Sequence, residues 1–180
     1  IDTDQAHHIV RHDPAGVVAI ITPWNAPLML ATWKLGPALA AGNTVIVKPP
    51  EWAPLTSSLL ADCADAAGLP PGVFNIVQGS GAKTGARLVS DPRLARVSFT
   101  GSVPTAKWIA QAAGANLVPC SLELGGKSPF IVLEDADIDS AAATGALMYR
   151  NAGQVCLAGT RFLVHDKVAD RFIAAMRAYV

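Results

Sequence analysis

The sequence lacks the features that mark membrane-spanning, secreted and nucleic-acid-binding proteins. Its most hydrophobic stretch never reaches the roughly 20 apolar residues of a membrane span, because it is broken at Pro23, Asn25, Pro27, Lys34 and Pro37. The N-terminus has no basic-then-apolar signal pattern. The 14 basic and 14 acidic side chains give zero net charge, which provides no attraction to polyanions. We therefore expect neither a nucleic acid nor a membrane as a partner.

Cysteine and histidine are also scarce. The three cysteines, Cys63, Cys120 and Cys156, are widely spaced and odd in number, which favours free thiols in a reducing compartment over a disulfide framework. The four histidines show no metal-ligand spacing with them, so neither a zinc site nor a Cys-His dyad is predicted. A cytoplasmic location follows as the expectation.

What the sequence does have is a large apolar fraction arranged in alternating short strands and helices. Hydrophobic residues make up 51% of the 180 positions, enough for a compact core. β-branched runs predict strands at 17–21, 44–48, 74–77 and 97–99. Intervening stretches predict helices at 28–41, 55–67 and 82–89, with Gly42 and Gly68 as left-handed ends of the first two. Strand and helix in alternation predict an α/β domain with a doubly wound parallel sheet.

The pattern continues through a predicted change of domain. A helix is predicted at 104–113 and a strand at 121–124, which ends at the pair Gly125 and Gly126. Beyond it, a strand at 130–133, a helix at 138–149 and a strand at 162–164 predict the start of a second α/β domain. The sequence opens at Ile1 without methionine and stops inside the amphipathic segment 169–180, so we expect a fragment.

Polar and small residues follow several of the predicted strands. In open α/β sheets ligands bind beyond the carboxyl ends of the strands. The segments at these positions are 22–25, 48–51, 78–81, 100–102 and 123–126. Small, polar and charged residues of this kind suit a dinucleotide.

Within these segments, Lys48 and Glu51 form a possible ribose site, because the ammonium donates and the carboxylate accepts hydrogen bonds from hydroxyls. A solvated surface pair is the equally weighted alternative. Gly101 and Ser102 begin a helix whose N–H groups suit a pyrophosphate, although most such turns merely reverse the chain.

Two further residues are candidates for covalent chemistry. Cys156 lies in a small-residue segment, 151–160, that permits close approach of a carbonyl; an inert buried thiol is the alternative. Cys63, on a helix, and Cys120, at a strand start, fit packing roles better. Glu123 lies between Leu122 and Leu124 in an apolar strand, where a buried carboxylate is costly and marks either function or a salt bridge.

At this point the motifs resemble those of a known family. The run Leu122-Glu123-Leu124-Gly125-Gly126-Lys127-Ser128-Pro129 resembles the glutamate signature of the aldehyde dehydrogenases, and residues 151–160 resemble their cysteine signature. Pro23-Trp24-Asn25, Lys48-Pro49-Pro50-Glu51 and Phe99-Thr100-Gly101-Ser102 are similar to the cofactor motifs of the same family, in the same order.

This resemblance implies that an aldehyde is oxidised to a carboxylic acid with NAD, and NADP is the alternative cofactor. It implies Cys156 as the nucleophile, Asn25 and the Cys156 backbone N–H as the oxyanion hole, and Glu123 as the general base for hydrolysis of the thioester. Lys48 and Glu51 are implied to bind the adenine-side ribose, and the Glu51 carboxylate to favour NAD over NADP. The remaining implied cofactor-binding residues are Thr22, Pro23, Trp24, Gly81, Phe99, Thr100, Gly101, Ser102 and Leu124.

The resemblance also implies an organisation. Residues 1–13 are expected to end an oligomerisation or linker segment, 14–124 to form the NAD-binding domain, and 125–180 to begin a truncated catalytic domain of a homodimer or homotetramer. Most of the substrate tunnel then falls outside these positions, so the chain alone is expected to have little or no activity. Segment 24–52 is similar to semialdehyde dehydrogenases of aromatic degradation, and betaine-aldehyde and broad-specificity enzymes resemble the rest nearly as well.

Three positions depart from the family pattern, and two rival functions remain. Pro50 removes a possible hydroxyl near the ribose, Ala106 replaces a frequent glycine in the helix after Gly101, and Leu157 adds bulk beside the nucleophile. The rivals are a non-catalytic dinucleotide-binding module and an acylating enzyme that passes the thioester to coenzyme A; Glu123, a base for water, argues against the latter.

Overall fold

A computed structural model describes residues 2–3 and 6–179 of the chain. It divides into two compact units, Ile1–Glu123 and Leu124–Val180. Residues 1, 4 and 5 of the predicted leading segment, and Val180 of the last one, lie outside the described residues. Among the described residues, no helix is both long and apolar enough to cross a membrane.

The first unit contains a short antiparallel strand pair followed by alternating strands and helices. Its elements are β1 (Asp2–Thr3), β2 (Ala6–His7), β3 (Val17–Ile21), α1 (Pro27–Ala40), β4 (Thr44–Lys48), α2 (Leu55–Ala66), β5 (Phe74–Ile76), a π-helical turn (Gly81–Gly85), α3 (Ala86–Val89), β6 (Leu94–Gly101), α4 (Val103–Gly114) and β7 (Cys120–Leu124).

Five of these strands form one sheet in the order β5-β4-β3-β6-β7. β3 runs parallel to β4 on one side and to β6 on the other, and β4 runs parallel to β5. Because the strands that follow β3 are added first on one side of it and then on the other, β3 and β6 flank a topological switch point, where ligands bind in such sheets.

Helices cover both faces of this sheet. On one face, Ile20 and its neighbours on β3 and β4 pack against Leu35 of α1 and Leu60 of α2. On the other, Ile109 of α4 lines a cleft together with Ile21, which points to the face opposite Ile20 because strand side chains alternate. The predicted α/β class with a doubly wound parallel sheet is confirmed.

The first two predicted helices end, as expected, just before a glycine in the left-handed conformation. Gly42 and Gly68 have φ values of 81° and 78°, a region that glycine adopts without a Cβ penalty. The Asn43 side chain fixes the first of these turns by accepting the N–H groups of Ala15 and Gly16 at 2.7 and 3.1 Å and donating to the Ala38 carbonyl at 2.9 Å.

The second unit is a parallel strand pair with two helices. Its elements are β8 (Ser128–Val132), α5 (Ile138–Ala146), a 3₁₀ segment (Leu147–Gly153), β9 (Gly159–Val164) and α6 (Asp166–Met176). β8 pairs parallel with β9. Val132, Ile138 and Phe172 belong to a buried cluster between the strands and the helices.

Several predicted bounds were wrong for identifiable reasons. β6 extends over 94–101 rather than 97–99, because polar Arg96 and Ser98 alternate with buried Val97 and Phe99 and hide the strand from a search for apolar runs. The helix predicted at 138–149 ends at Ala146, and the backbone of the following segment leaves helical geometry from Arg150. The helix predicted at 82–89 begins as a π-helical turn at Gly81.

Candidate cofactor cleft and nucleophile loop

A cleft of about 280 Å³ opens at the carboxyl ends of β3, β4 and β6 in the first unit. Its lining includes many of the residues that the sequence analysis assigned to a cofactor. These are Thr22, Pro23, Trp24, Lys48, Glu51, Gly81, Phe99, Thr100 and Gly101. The topology brings these separate segments together at the switch point.

Lys48 and Glu51 lie on the β4 side of the cleft. Lys48 is only 3% exposed, and its Nζ donates to the Pro49 carbonyl at 2.6 Å. Burial lowers the pKa of Lys48, and the nearby Glu51 charge opposes that shift. Glu51 accepts the Gly81 N–H at 2.6 Å through Oε1. The alternative of a solvated surface pair is therefore wrong for Lys48.

The ends of β3 and β6 contribute two buried hydroxyl groups. Thr22 is 4% exposed and Thr100 is 7% exposed, and neither Oγ1 has a hydrogen-bond partner among the described residues. Buried polar atoms without partners are uncommon in folded proteins. The presence of two such hydroxyl groups in one cleft is consistent with a site that binds a polar ligand.

The β6–α4 turn forms the next part of the wall. Ser102 caps α4 by accepting the Thr105 backbone N–H at 3.4 Å, and its hydroxyl also shares a 2.9 Å hydrogen bond with the Thr105 hydroxyl. Gly101 has no room for a side chain, since a Cβ there would lie 2.4 Å from Cζ of Phe99. Ala106, the departure noted in this helix, is buried.

Some lining residues were not assigned to the cofactor by the sequence analysis. These are Ile21, Pro50, Trp52, Gly85, Thr105, Trp108 and Ile109. Helical spacing from Ser102 was an available signal for those on α4, because residues three or four apart share a helix face. For Trp52, the only sequence signal was its position next to Glu51.

The general-base candidate Glu123 lies on β7, at the edge of the sheet next to β6. It is exposed, as β7 is an edge strand of the sheet, so the prediction of a buried carboxylate was wrong for this chain. Lys34 of α1 is half-buried and donates to Ser98 Oγ at 2.9 Å. Burial lowers the pKa of Lys34, and the Glu123 charge opposes this. Asn25 is half-buried in the turn before α1.

Cys156 lies in an exposed loop of the second unit. A left-handed turn precedes it, with φ values of 52° at Asn151, 55° at Ala152 and 72° at Gly153. The Gly159 N–H after the loop donates to Met148 Sδ at 3.1 Å. Both sides of the nucleophile candidate are thus anchored by local structure.

The other cysteines differ from Cys156 in their surroundings. Cys120 is half-buried, and burial raises the pKa of its thiol, with the Arg96 charge opposing. Cys63 is exposed. Its predicted packing role was wrong, because it lies on the solvent side of α2, whose only fully buried residue is Ser57.

The fold places the chain among the doubly wound α/β proteins. More narrowly, the model of the Aldehyde dehydrogenase family matches residues 1–180, and the chain belongs to this family. It is 50% identical to betaine aldehyde dehydrogenase 1 of Oryza sativa subsp. japonica, over 94% of this chain and 34% of that protein. It is 47% identical to human 2-aminomuconic semialdehyde dehydrogenase, over 93% and 34%.

A solved structure is similar as well. Aldehyde dehydrogenase C from Pseudomonas syringae, in a mutant complexed with NAD+ and octanal, matches with a TM-score of 0.89 at 43% identity, over 93% of this chain and 35% of that one. The chain thus spans about a third of the length of the relatives it matches.

Proposed function

We propose that this chain supplies the cofactor cleft and the nucleophile of an enzyme that oxidises an aldehyde to a carboxylic acid with NAD(P). The observation that carries the proposal is the cleft at the switch point, where buried Lys48, the carboxylate of Glu51 and two threonine hydroxyls converge, and these hydroxyls have no hydrogen-bond partner in the described part of the chain. Family membership and the NAD+ bound to the Pseudomonas syringae relative support it.

The residues of the cleft fit a dinucleotide. Lys48 and Glu51 would hold the adenine-side ribose, one by donation and one by acceptance. The pyrophosphate would bind at Thr100, Gly101 and Ser102. These residues lead into the N-terminus of α4, where free backbone N–H groups attract an anion. The dinucleotide, when bound, would accept the hydrogen removed from the aldehyde carbon together with its electron pair.

The covalent steps are assigned to three residues. The Cys156 thiolate attacks the aldehyde carbon, and the oxyanion that forms is held by the Asn25 amide and the Cys156 backbone N–H. After oxidation, the acyl group remains on sulfur as a thioester. Glu123 takes a proton from the water that hydrolyses this thioester, which releases the acid and frees the thiol.

Relatives at 50% and 47% identity are named for different aldehydes, so the proposed substrate is an aldehyde as a class. The similarity of segment 24–52 to semialdehyde dehydrogenases of aromatic degradation remains a proposal. We also propose a homodimer or homotetramer, and a cytoplasmic location suited to free thiols.

The test is turnover of the enzyme that carries this chain, with Cys156→Ser and Glu123→Gln variants. We expect Cys156→Ser to lose about a thousandfold or more in kcat, while Cys63→Ser, which changes another exposed thiol, keeps wild-type turnover. Glu123→Gln should give one stoichiometric burst of NADH followed by slow turnover, since hydrolysis is its step. Full activity in Cys156→Ser would refute the mechanism.

The second candidate, a dinucleotide-binding module without chemistry, is favoured by the exposure of both Cys156 and Glu123 in this chain. Thiol labelling distinguishes the two functions. Selective modification of Cys156 over Cys63 and Cys120 supports the enzyme. Dinucleotide binding with equal labelling of the two exposed thiols supports the module.

A further inference from the structure

The nucleophile loop of the second unit, residues 149–158, is closed at its base by a hydrogen bond to sulfur. Gly159 begins β9 and is buried, and its N–H donates to Met148 Sδ at 3.1 Å. Met148 lies at the other end of the loop, in the 3₁₀ segment that follows α5. The thioether of a half-buried methionine therefore joins the two ends of the loop that carries Cys156.

The backbone of Gly159 is enclosed by side chains of the same unit. A Cβ at this position would lie 2.9 Å from Cβ of Phe130 and 3.5 Å from Met148 Sδ. The ring of Phe130 lies 5.1 Å from that of Phe162, measured between centroids, and both rings pack against the buried cluster between the strands and the helices. The sulfur of Met148 thus ties the loop to a glycine that the core of the unit holds in place.

The loop needs such a tie because part of its backbone is strained. Asn151 and Ala152 have φ values of 52° and 55°, a left-handed conformation that residues with a Cβ disfavour. Strained backbone persists where the surrounding structure holds it. The Gln154 N–H donates to the Asn151 carbonyl at 3.0 Å, but this bond lies within the loop. The bond between Met148 and Gly159 is the one that fixes the two ends of the loop against each other.

We propose that Met148 is a positioning residue for the Cys156 nucleophile, an inference that rests on the proposed function. Its sulfur accepts the buried Gly159 N–H and so fixes the chain three residues after Cys156. Attack by the thiolate and stabilisation of the oxyanion by the Cys156 N–H both need fixed geometry, since a misplacement of about 1 Å can cost about a hundredfold in rate. Met148 acts on this geometry through Gly159 and not on the aldehyde.

The acceptor atom of Met148, and not only its bulk, carries this role. A buried N–H group that loses its acceptor destabilises the arrangement that buries it. Thioether sulfur is a weak acceptor, whereas a leucine side chain of similar volume offers none. Met148→Leu therefore removes the hydrogen bond and largely keeps the packing. Met148→Gln places an amide oxygen at a similar distance along the side chain and can restore the bond.

The direct test is residue-resolved amide hydrogen exchange of the 180-residue chain. A buried amide without its acceptor should open about fivefold to a hundredfold more often. We expect that increase in exchange rate at Gly159 in Met148→Leu and a rate near that of the unmodified chain in Met148→Gln. Met176→Leu is the matched control, because Met176 packs against the buried cluster of the same unit and lies outside the loop. It should leave Gly159 exchange unchanged.

The catalytic readout is turnover of the enzyme that carries this chain, counted per folded molecule. Met148→Leu should lower kcat by about tenfold to a hundredfold and leave the aldehyde KM within about twofold, because positioning acts on the chemical step. The Kd of NAD should not change, since the cofactor cleft lies in the first unit. Met148→Gln should recover most of the lost kcat, and Met176→Leu should keep it.

Several results would count against Met148 while leaving the proposed function standing. These are an unchanged Gly159 exchange rate in folded Met148→Leu, an equal increase in Met176→Leu, no recovery in Met148→Gln, and faster exchange with an unchanged kcat. Full turnover in Cys156→Ser would instead overturn the proposed function, whatever the exchange rate of Gly159.

Discussion

At the scale of single residues, the Glu51 carboxylate is the feature of the cleft with the clearest consequence for cofactor choice. It accepts the Gly81 N–H at 2.6 Å. This hydrogen bond holds the carboxylate at the proposed ribose site, so a swing away from a 2′-phosphate would first have to break it. The geometry therefore strengthens the expected preference for NAD over NADP.

Replacing the charge tests that preference. In Glu51→Gln the side-chain carbonyl still accepts the Gly81 N–H, while the repulsion of a 2′-phosphate is gone. The ratio of the NADP Kd to the NAD Kd should fall by about fivefold, the size expected of a largely exposed charge pair. Calorimetric titration of both cofactors measures it. An unchanged ratio would mean that Glu51 does not face the 2′ position.

The roles and surroundings of the individual site residues could be predicted only in part from the sequence. Lys48 and Glu51 could be proposed as ribose ligands because Lys48 ends a β-branched strand and Glu51 comes three residues later. The hydrogen bond from Gly81 to Glu51 could not be predicted, because it joins residues 30 apart along the chain. The burial of Lys48 could not be predicted either, because its side chain packs beside the distant Gly85. For the same reason, the exposure of Glu123 was missed: local sequence does not show which strand ends the sheet.

At the scale of elements, the tight turn between α3 and β6 depends on one carboxylate. Asp91 accepts the Arg93 backbone N–H at 3.1 Å and the Arg93 guanidinium at 2.9 Å through both of its oxygens. Arg87 lies 3.4 Å from the same carboxylate. The hydrogen bonds from Arg93 hold the pKa of Asp91 well below its ordinary value of 3.8. This turn leads directly into the central strand β6.

Asp91→Asn should therefore lower the melting temperature in a pH-dependent way. Because the folded-state pKa is depressed, the ionised carboxylate stabilises the fold above the ordinary value of 3.8, and this contribution is lost as the pH falls further. The difference in Tm between Asp91→Asn and the unmodified chain should be full at pH 7 and shrink below about pH 4. Thermal unfolding followed by circular dichroism measures it.

The control is Asp13→Asn, which removes a more exposed ion pair with Arg11 at 2.9 Å. Such a pair contributes little, so its Tm should match that of the unmodified chain throughout. A constant Tm difference for Asp91→Asn across the pH range would mean that the turn depends on the shape of the side chain and not on its charge.

The bounds of strands and helices could be predicted from the sequence where a single local feature, such as a β-branched segment or a glycine, determines them. The predicted strands at 17–21 and 44–48 have the observed bounds, since four of the five residues in each are β-branched, and Gly42 ends the intervening helix. The predicted end of α5 failed beside a tertiary contact. Gly145 packs so closely on Phe162 that a Cβ would lie 2.9 Å from its ring, and α5 ends directly after it, which the helical periodicity through 149 gave no reason to expect.

At the scale of the whole molecule, both units leave functional or apolar groups open to solvent. Glu123 and Cys156 are exposed. In the second unit, α5 and α6 cover one face of the β8–β9 pair, while Ile131, Leu133 and Leu163 are exposed at 62%, 60% and 53%. Parallel strands are normally covered on both faces, and stabilisation of an oxyanion is much stronger in a site closed to bulk water.

The 180-residue chain should for this reason bind the dinucleotide but turn over aldehydes poorly. The residues proposed for binding already line one cleft within the first unit, whereas the nucleophile and base are open to water. We expect calorimetric binding of NAD, together with NADH formation at least about a thousandfold below the typical range for enzymes of about 1–1000 per second.

Lys48→Ala should weaken NAD binding, while Lys107→Ala, at an exposed position of α4 outside the cleft lining, should leave it unchanged. NADH formation at rates of an ordinary enzyme would show that these residues alone assemble a closed site, and equal binding losses in the two lysine variants would show that the cleft attracts the cofactor by general charge alone.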